Sequence, residues 1–174
     1  MDSQKKHYII TALTLGCIAA VSGGIIGLTN LITKDRIAQN EVNKINDGIV
    51  EIFDKNSVAS EEKHLDGEYK YVQYYYEVKN NNELVGYAFR TTGSNMYGKI
   101  SLLVGFHHAT EEFKGLSIIV NEQTYATTLV DNYITPLNDG ERQLEDVDCG
   151  ATYGAKLVRD MVNEARTAVG DING

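Results

Sequence analysis

The sequence predicts an α+β protein: one N-terminal transmembrane helix, then an antiparallel sheet packed with helices. Three patterns carry that prediction. No charged residue lies between His7 and Lys34, side chains alternate with a period of two from Val72 to Val78, and apolar residues after Thr152 recur at spacings of four and three. The first is the signature of a bilayer span, the second of a half-buried strand, the third of an amphipathic helix.

The chain has 174 residues, 43% of them hydrophobic, which suits one domain of ordinary size plus an appendage. A formal net charge of -8, with Lys and Arg scattered, argues against a nucleic-acid partner, since a phosphate-reading surface needs a basic face. The two cysteines, Cys17 and Cys149, fall in the span and in the globular part, so an internal disulfide is not expected.

Tyr8 to Thr33 is dominated by Ile, Leu, Ala, Val and Gly, and a bilayer needs about 20 such residues. A cleaved leader is the competing reading, with Lys5 and Lys6 as its basic start. Thr14-Leu15-Gly16-Cys17 is a poor lipobox, however, and the apolar run continues past the cysteine, so an uncleaved anchor is expected. Gly23 and Gly27 make a Gly-x-x-x-Gly pair that permits close approach of another helix. Lys5 and Lys6 on one flank and Lys34 and Arg36 on the other leave orientation open.

From Asp35 to Phe53, Ile37, Val42, Ile45, Ile49, Ile52 and Phe53 fall mostly on one side of a helix that leaves the membrane and packs on the domain. Asn56 to Gly67 is polar and reads as a loop or linker. The expected organisation is an anchor over 1–34, a juxtamembrane helix and linker over 35–67, and a globular domain over 68–174.

In that domain Val72, Tyr74, Tyr76 and Val78 alternate with polar or aromatic neighbours, and Asn80-Asn81-Asn82 makes a hairpin turn before a strand from Leu84 to Arg90. Gly93 to Gly98 reads as a loop. Strands follow at Ile100 to Phe106 and Leu116 to Val120, with a polar turn at His107 to Glu112 between them. Short connections imply an antiparallel sheet, which the juxtamembrane and C-terminal helices can cover.

Ala151, Ala155, Val158, Val162, Ala165 and Val169 form the stripe of the final helix, and Gly170 ends the pattern. Thr152 stands where the turn of Asp146-Val147-Asp148-Cys149-Gly150 becomes that helix. A helix start offers unpaired N–H groups and the positive end of the macrodipole, which favour an anion. Threonine at a helix start is also an ordinary N-cap that needs no ligand, and Asp146 and Asp148 count against a free anion there.

Other constellations are weaker. Gly93-Ser94-Asn95-Met96-Tyr97-Gly98-Lys99 matches the opening of a P-loop, but Ile100 stands where Ser or Thr would hold Mg²⁺, and a strand follows instead of a helix. His107, His108, Glu111 and Glu112 suggest a metal less than a solvated turn. The tyrosines from Tyr69 to Tyr76 could stack on a flavin or quinone, yet aromatics at period two usually pack a sheet. No Ser, His and Asp grouping points to hydrolysis.

Asp146-x-x-Cys149-Gly150-Ala151-Thr152 followed by a helix resembles the flavinylation motif of the FMN-binding domain family. That family includes the G subunit of Rnf-type ion-translocating ferredoxin:NAD oxidoreductases and the related C subunit of sodium-pumping NADH:quinone reductases. Tyr97-Gly98-Lys99-Ile100-Ser101-Leu102-Leu103-Val104-Gly105-Phe106 is similar to the family's Tyr-x-Gly-x-Ile-x-x-Leu-Val-Gly strand, with its glycine spacing changed by one residue.

The resemblance implies FMN attached covalently, through its phosphate, to Thr152, with Cys149, Gly150 and Ala151 as the motif residues around it. Gln123 and Thr124 occupy the Glu-Thr places of a loop near the flavin, whose Pro-Gly turn is missing here. Gly154 stands where the family usually has Ser or Thr. Implied further are a flavin transferase for maturation, other membrane, flavin and iron–sulfur subunits as partners, and single-pass insertion in the cell membrane with the flavin domain on the extracytoplasmic side. The chain would then be an electron-transfer subunit of a translocase, with no metal site and no substrate turnover of its own. The alternative is a stand-alone anchored module, flavin-bearing or ligand-binding, outside any ion pump.

Overall fold

The computed structural model describes residues 3–65 and 67–173, and among them the side chains of 8–28, 39–65 and 67–173. Two compact units divide the chain, Met1–Val42 and Asn43–Gly174. The basic flanks Lys5, Lys6, Lys34 and Arg36, and Ile37 of the expected apolar stripe, lie outside the described side chains.

In the first unit the dominant feature is the apolar part of helix α1 (Ser3–Ile52). Tyr8–Leu28 is a stretch of 21 residues with mean hydropathy 2.2 and no burial within the protein. It is long enough for a bilayer and consistent with a single-pass anchor. Its few polar side chains suit that setting: the Thr14 hydroxyl donates to the Ile10 carbonyl at 2.8 Å, so the helix itself satisfies it.

The second unit is built on a six-stranded antiparallel sheet. Its strands are β1 (Ser57–Ala59), β2 (Lys63–His64), β3 (Val72–Asn80), β4 (Glu83–Asn95), β5 (Gly98–His107) and β6 (Phe113–Asn121). The order is β1-β3-β4-β5-β6, with β2 also pairing with β3. Asn81 and Asn82 turn between β3 and β4 with φ of 48° and 74°, the left-handed pair that a tight hairpin needs and asparagine tolerates.

Both faces of the sheet are covered, which is why β5 is buried almost throughout. On one face Ile45, Ile49 and Ile52, from the last turns of α1, pack on Tyr76, Val78, Ala88, Leu103 and Ile119. Val42, expected on the same stripe, is 55% exposed. Glycines set this contact: a Cβ on Gly105 would come within 2.3 Å of Ile52 Cγ2, and one on Gly86 would strike Phe53 and the Phe106 carbonyl.

The opposite face carries α4 (Thr152–Asn173) and a helical segment of α2 (Ala126–Leu129), a π-helical turn (Val130–Ile134) and α3 (Thr135–Asn138). Phe89, Ile100, Leu102, Val104 and Phe106 meet Val158, Met161, Val162, Ala165 and Val169 of α4 there, with Leu129 and Tyr133 beside them. Glu164 of α4 accepts the backbone N–H groups of Lys70, Tyr71 and Val72 at 2.7, 2.5 and 2.9 Å, fixing the helix to the start of β3.

The α+β architecture agrees with the sequence expectation, and two local expectations are corrected. Gly93 to Gly98 is not a loop: β4 continues to Asn95, leaving only Met96 and Tyr97 as the turn. Gly93 belongs in that strand because α4 crosses it, and a Cβ there would lie 2.8 Å from Leu157 Cδ1. The polar stretch after Asn56 holds the edge strands β1, paired with the end of β3 at Val78–Asn80, and β2, paired with Tyr74 and Tyr75 nearer its start. The helical segment from Ala126 to Asn138 was not expected at all.

Candidate functional site

The strand–turn–strand at Gly93 to Lys99 removes any P-loop geometry, because no helix N-terminus follows the glycines. His107 is occupied in its own turn, its Nδ1 accepting from the N–H groups of Ala109 and Thr110 at 3.2 and 3.3 Å. Tyr75 and Tyr87 pack with each other and Tyr75 with Phe89, as sheet aromatics do.

A cleft of about 290 Å³ lies at the start of α4. Gly150, with φ of +82°, reverses the chain in a conformation that favours glycine, and Thr152 opens the helix. The carbonyl of Ala151 accepts the N–H of Ala155 at 3.0 Å, so Ala151 holds the cap position. Alanine has no oxygen for the first-turn N–H groups, and they remain available to an anion. Thr152 sits one step inside the helix, half-buried, and its hydroxyl has no hydrogen-bond partner among the described residues.

The acidic residues before the turn face elsewhere. Arg142 pairs with the Asp146 carboxylate at 3.3 Å and donates to the backbone carbonyls of Asp146 and Asp148, and Asp148 lines a separate depression with Asp131, Pro136 and Glu141. Lys156, one turn beyond Thr152, places its Nζ 5.9 Å from the centre of the Tyr153 ring. The nearest charge along the helix is therefore positive.

Gly150, Ala151, Thr152 and Gln123 line the cleft together. Gln123 is 6% exposed, and its Nε2 donates to the Gly98 carbonyl. Thr124 is not on the lining. Its N–H and hydroxyl both bond the Tyr97 carbonyl, at 2.8 and 3.1 Å, and so fasten the loop after β6 to the β4–β5 turn. Cys149 is buried behind the turn, its carbonyl accepting from Asn132 Nδ2 at 3.1 Å, and its side chain belongs to the core.

The remaining walls are Tyr97, Tyr125, Leu129, Tyr153 and Gly154, which the sequence did not single out as a set. Tyr97 comes from the β4–β5 turn, Tyr125 from the entry to α2 and Tyr153 from the first turn of α4. Two were adjacent to residues already singled out, Thr124 and Thr152, and that was the available signal. Gly154 packs tightly: a Cβ there would lie 3.0 Å from Leu129 Cδ2 and 3.5 Å from Gln123 Oε1. Its departure from Ser or Thr thus accompanies the close seating of α4 on α2.

Residues 1–47 match a family model described as the RnfG N-terminal region. That similarity covers the N-terminal 47 residues of the 174. That finding supports an RnfG-type subunit of an Rnf redox complex, and the matched RnfG stretch contains the whole of Tyr8–Leu28. No curated protein matches the chain. The cleft lies beyond the RnfG match, so its chemistry rests on its own geometry.

Proposed function

We propose that this chain is the membrane-anchored flavoprotein subunit of an Rnf-type ion-translocating complex, carrying FMN joined through its phosphate to Thr152 Oγ1. The observation that carries the reading is the Thr152 hydroxyl: it opens α4 beside uncapped N–H groups, has no partner among the described residues, and stands on the wall of a cleft rich in tyrosine.

The residues fit the group. The helix start of α4 favours a phosphate over any neutral ligand, and Lys156 adds a positive charge one turn on. Gly150 gives the turn before Thr152 a left-handed backbone that glycine adopts without strain. A volume of about 290 Å³ is at the small end of ligand clefts, enough to enclose part of an FMN while leaving an edge open to a partner centre. FMN, when bound, supplies the electron-accepting and electron-donating chemistry, and the protein supplies attachment, orientation and environment.

The anchor keeps such a carrier at the membrane, and the tether keeps its cofactor from being lost where replacement is difficult. Other membrane, flavin-bearing and iron–sulfur subunits are the proposed partners, a flavin transferase the maturation enzyme, and the extracytoplasmic side of the cell membrane the location.

The test is attachment. Protein made together with a flavin transferase is expected to stay yellow through denaturation and desalting, Thr152→Ala to come out colourless, and Thr152→Ser to keep the chromophore. A yellow, denaturation-resistant Thr152→Ala protein contradicts the assignment.

A further inference from the structure

We propose that Tyr97, Tyr125 and Tyr153 form an aromatic cage for the planar ring of the ligand held at Thr152, so that the ring is stacked on the protein and does not swing free on its tether. The proposal rests on the FMN reading above and adds where the ring goes. Three distant parts of the chain bring these side chains to one cleft.

The Tyr97 ring touches both of the others without stacking face to face on either. Tyr97 lies 5.7 Å from Tyr125 at an interplanar angle of 61°, and 5.5 Å from Tyr153 at 43°. These are edge or tilted contacts, which leave ring faces available for a further aromatic partner. Tyr125 and Tyr153 are 53% and 60% exposed, whereas Tyr76, Tyr87 and Tyr133 in the same unit are buried.

The backbone beneath the cage is pinned. Asn95 Nδ2 donates to the Tyr153 carbonyl at 3.1 Å, and Thr124 holds the Tyr97 carbonyl from the other side. Gln123 is fixed by its bond to Gly98, so its amide oxygen is a positioned acceptor on the same wall. Flavin has a ring N–H that such an oxygen can receive. Because Thr152 and Tyr153 are neighbours, the tether delivers the ring at a local concentration on the order of millimolar, and contacts too weak to capture a free ring then suffice.

Flavin emission reads the cage, since a tyrosine stacked on the isoalloxazine quenches it. The full-length protein, made with a flavin transferase, is compared with Tyr125→Leu and Tyr153→Leu, each normalised to FMN mapped on the Thr152 peptide by mass. Tyr125→Leu changes no residue of the attachment motif, so it remains informative if Tyr153→Leu is poorly flavinylated. The wild type is expected to emit well below free FMN, and each variant to recover about two- to tenfold, the span of one lost aromatic contact. Emission equal to free FMN in the flavinylated wild type, or no change in Tyr125→Leu, overturns the cage while leaving attachment standing. Absence of FMN from Thr152 overturns the attachment reading, and the cage with it.

Discussion

Thr152 and Gly154 sit two residues apart and answer to different forces. The Thr152 hydroxyl caps nothing, because Ala151 holds the cap position. Thr152→Ala should therefore change stability by no more than about 0.5 kcal/mol, as at an ordinary surface site, while removing the proposed attachment point. Equal urea midpoints for the two proteins check this, and a loss of a full capping interaction contradicts it. Gly154 is set by packing. Gly154→Ser restores the hydroxyl common in the FMN-binding family, but its Cβ meets Leu129, so a cost of about 1–3 kcal/mol is expected in the same melt. Flavinylation that rises despite this cost would show that the missing hydroxyl matters to the transferase. The helix start was legible in the sequence because the apolar spacing after Thr152 fixes the helix phase. Tyr97 and Tyr125 were not legible as partners of Thr152, since each comes from a segment separated from it by a strand or helix.

The sheet and its two covers were legible for the same reason, as a strand or helix facing a core repeats its apolar residues with its own period. The exceptions involve short elements whose partners are remote. β1 and β2 are too brief and polar to show alternation, and they exist because β3 offers them an edge. The helical run from Ala126 to Asn138 is interrupted by a π-helical turn that buries Tyr133 and Ile134 out of simple helical phase. Glu164 is another long-range device: Glu164→Ala strips the acceptor from three backbone N–H groups and should cost about 1.5–3 kcal/mol in a denaturant titration. A value near zero would mean that water replaces the carboxylate without loss. Nearby, the Tyr69 hydroxyl donates to Asp171 at 2.5 Å, and that bond, with some burial, pushes its pKa from 10.0 up to about 12. The raised value means that the folded state holds this proton more tightly. Its contribution is complete below pH 10 and is lost as the pH rises toward 12. Tyr69→Phe should remove this part of the alkaline stability loss, and identical stability profiles between pH 9 and pH 12 for both proteins would contradict the linkage.

The molecule joins an apolar helix that suits a bilayer to a sheet domain whose cleft, at the start of α4, is the proposed flavin site. The RnfG N-terminal match covers the first of these, and the helix start at Thr152, with the tyrosines around it, supports the proposed role of the second. An RnfG-type subunit should follow membranes through the span. Deleting 8–28 is expected to move the protein from the carbonate-resistant membrane fraction to the soluble one, and membrane retention without the span would contradict the anchor. Attachment of FMN to Thr152 is read most directly from the intact mass of the protein made together with a flavin transferase, followed by peptide mapping. An increase of one FMN less one water is expected, carried by the peptide that contains Thr152. An unmodified mass, or the same increase on another peptide, would contradict it.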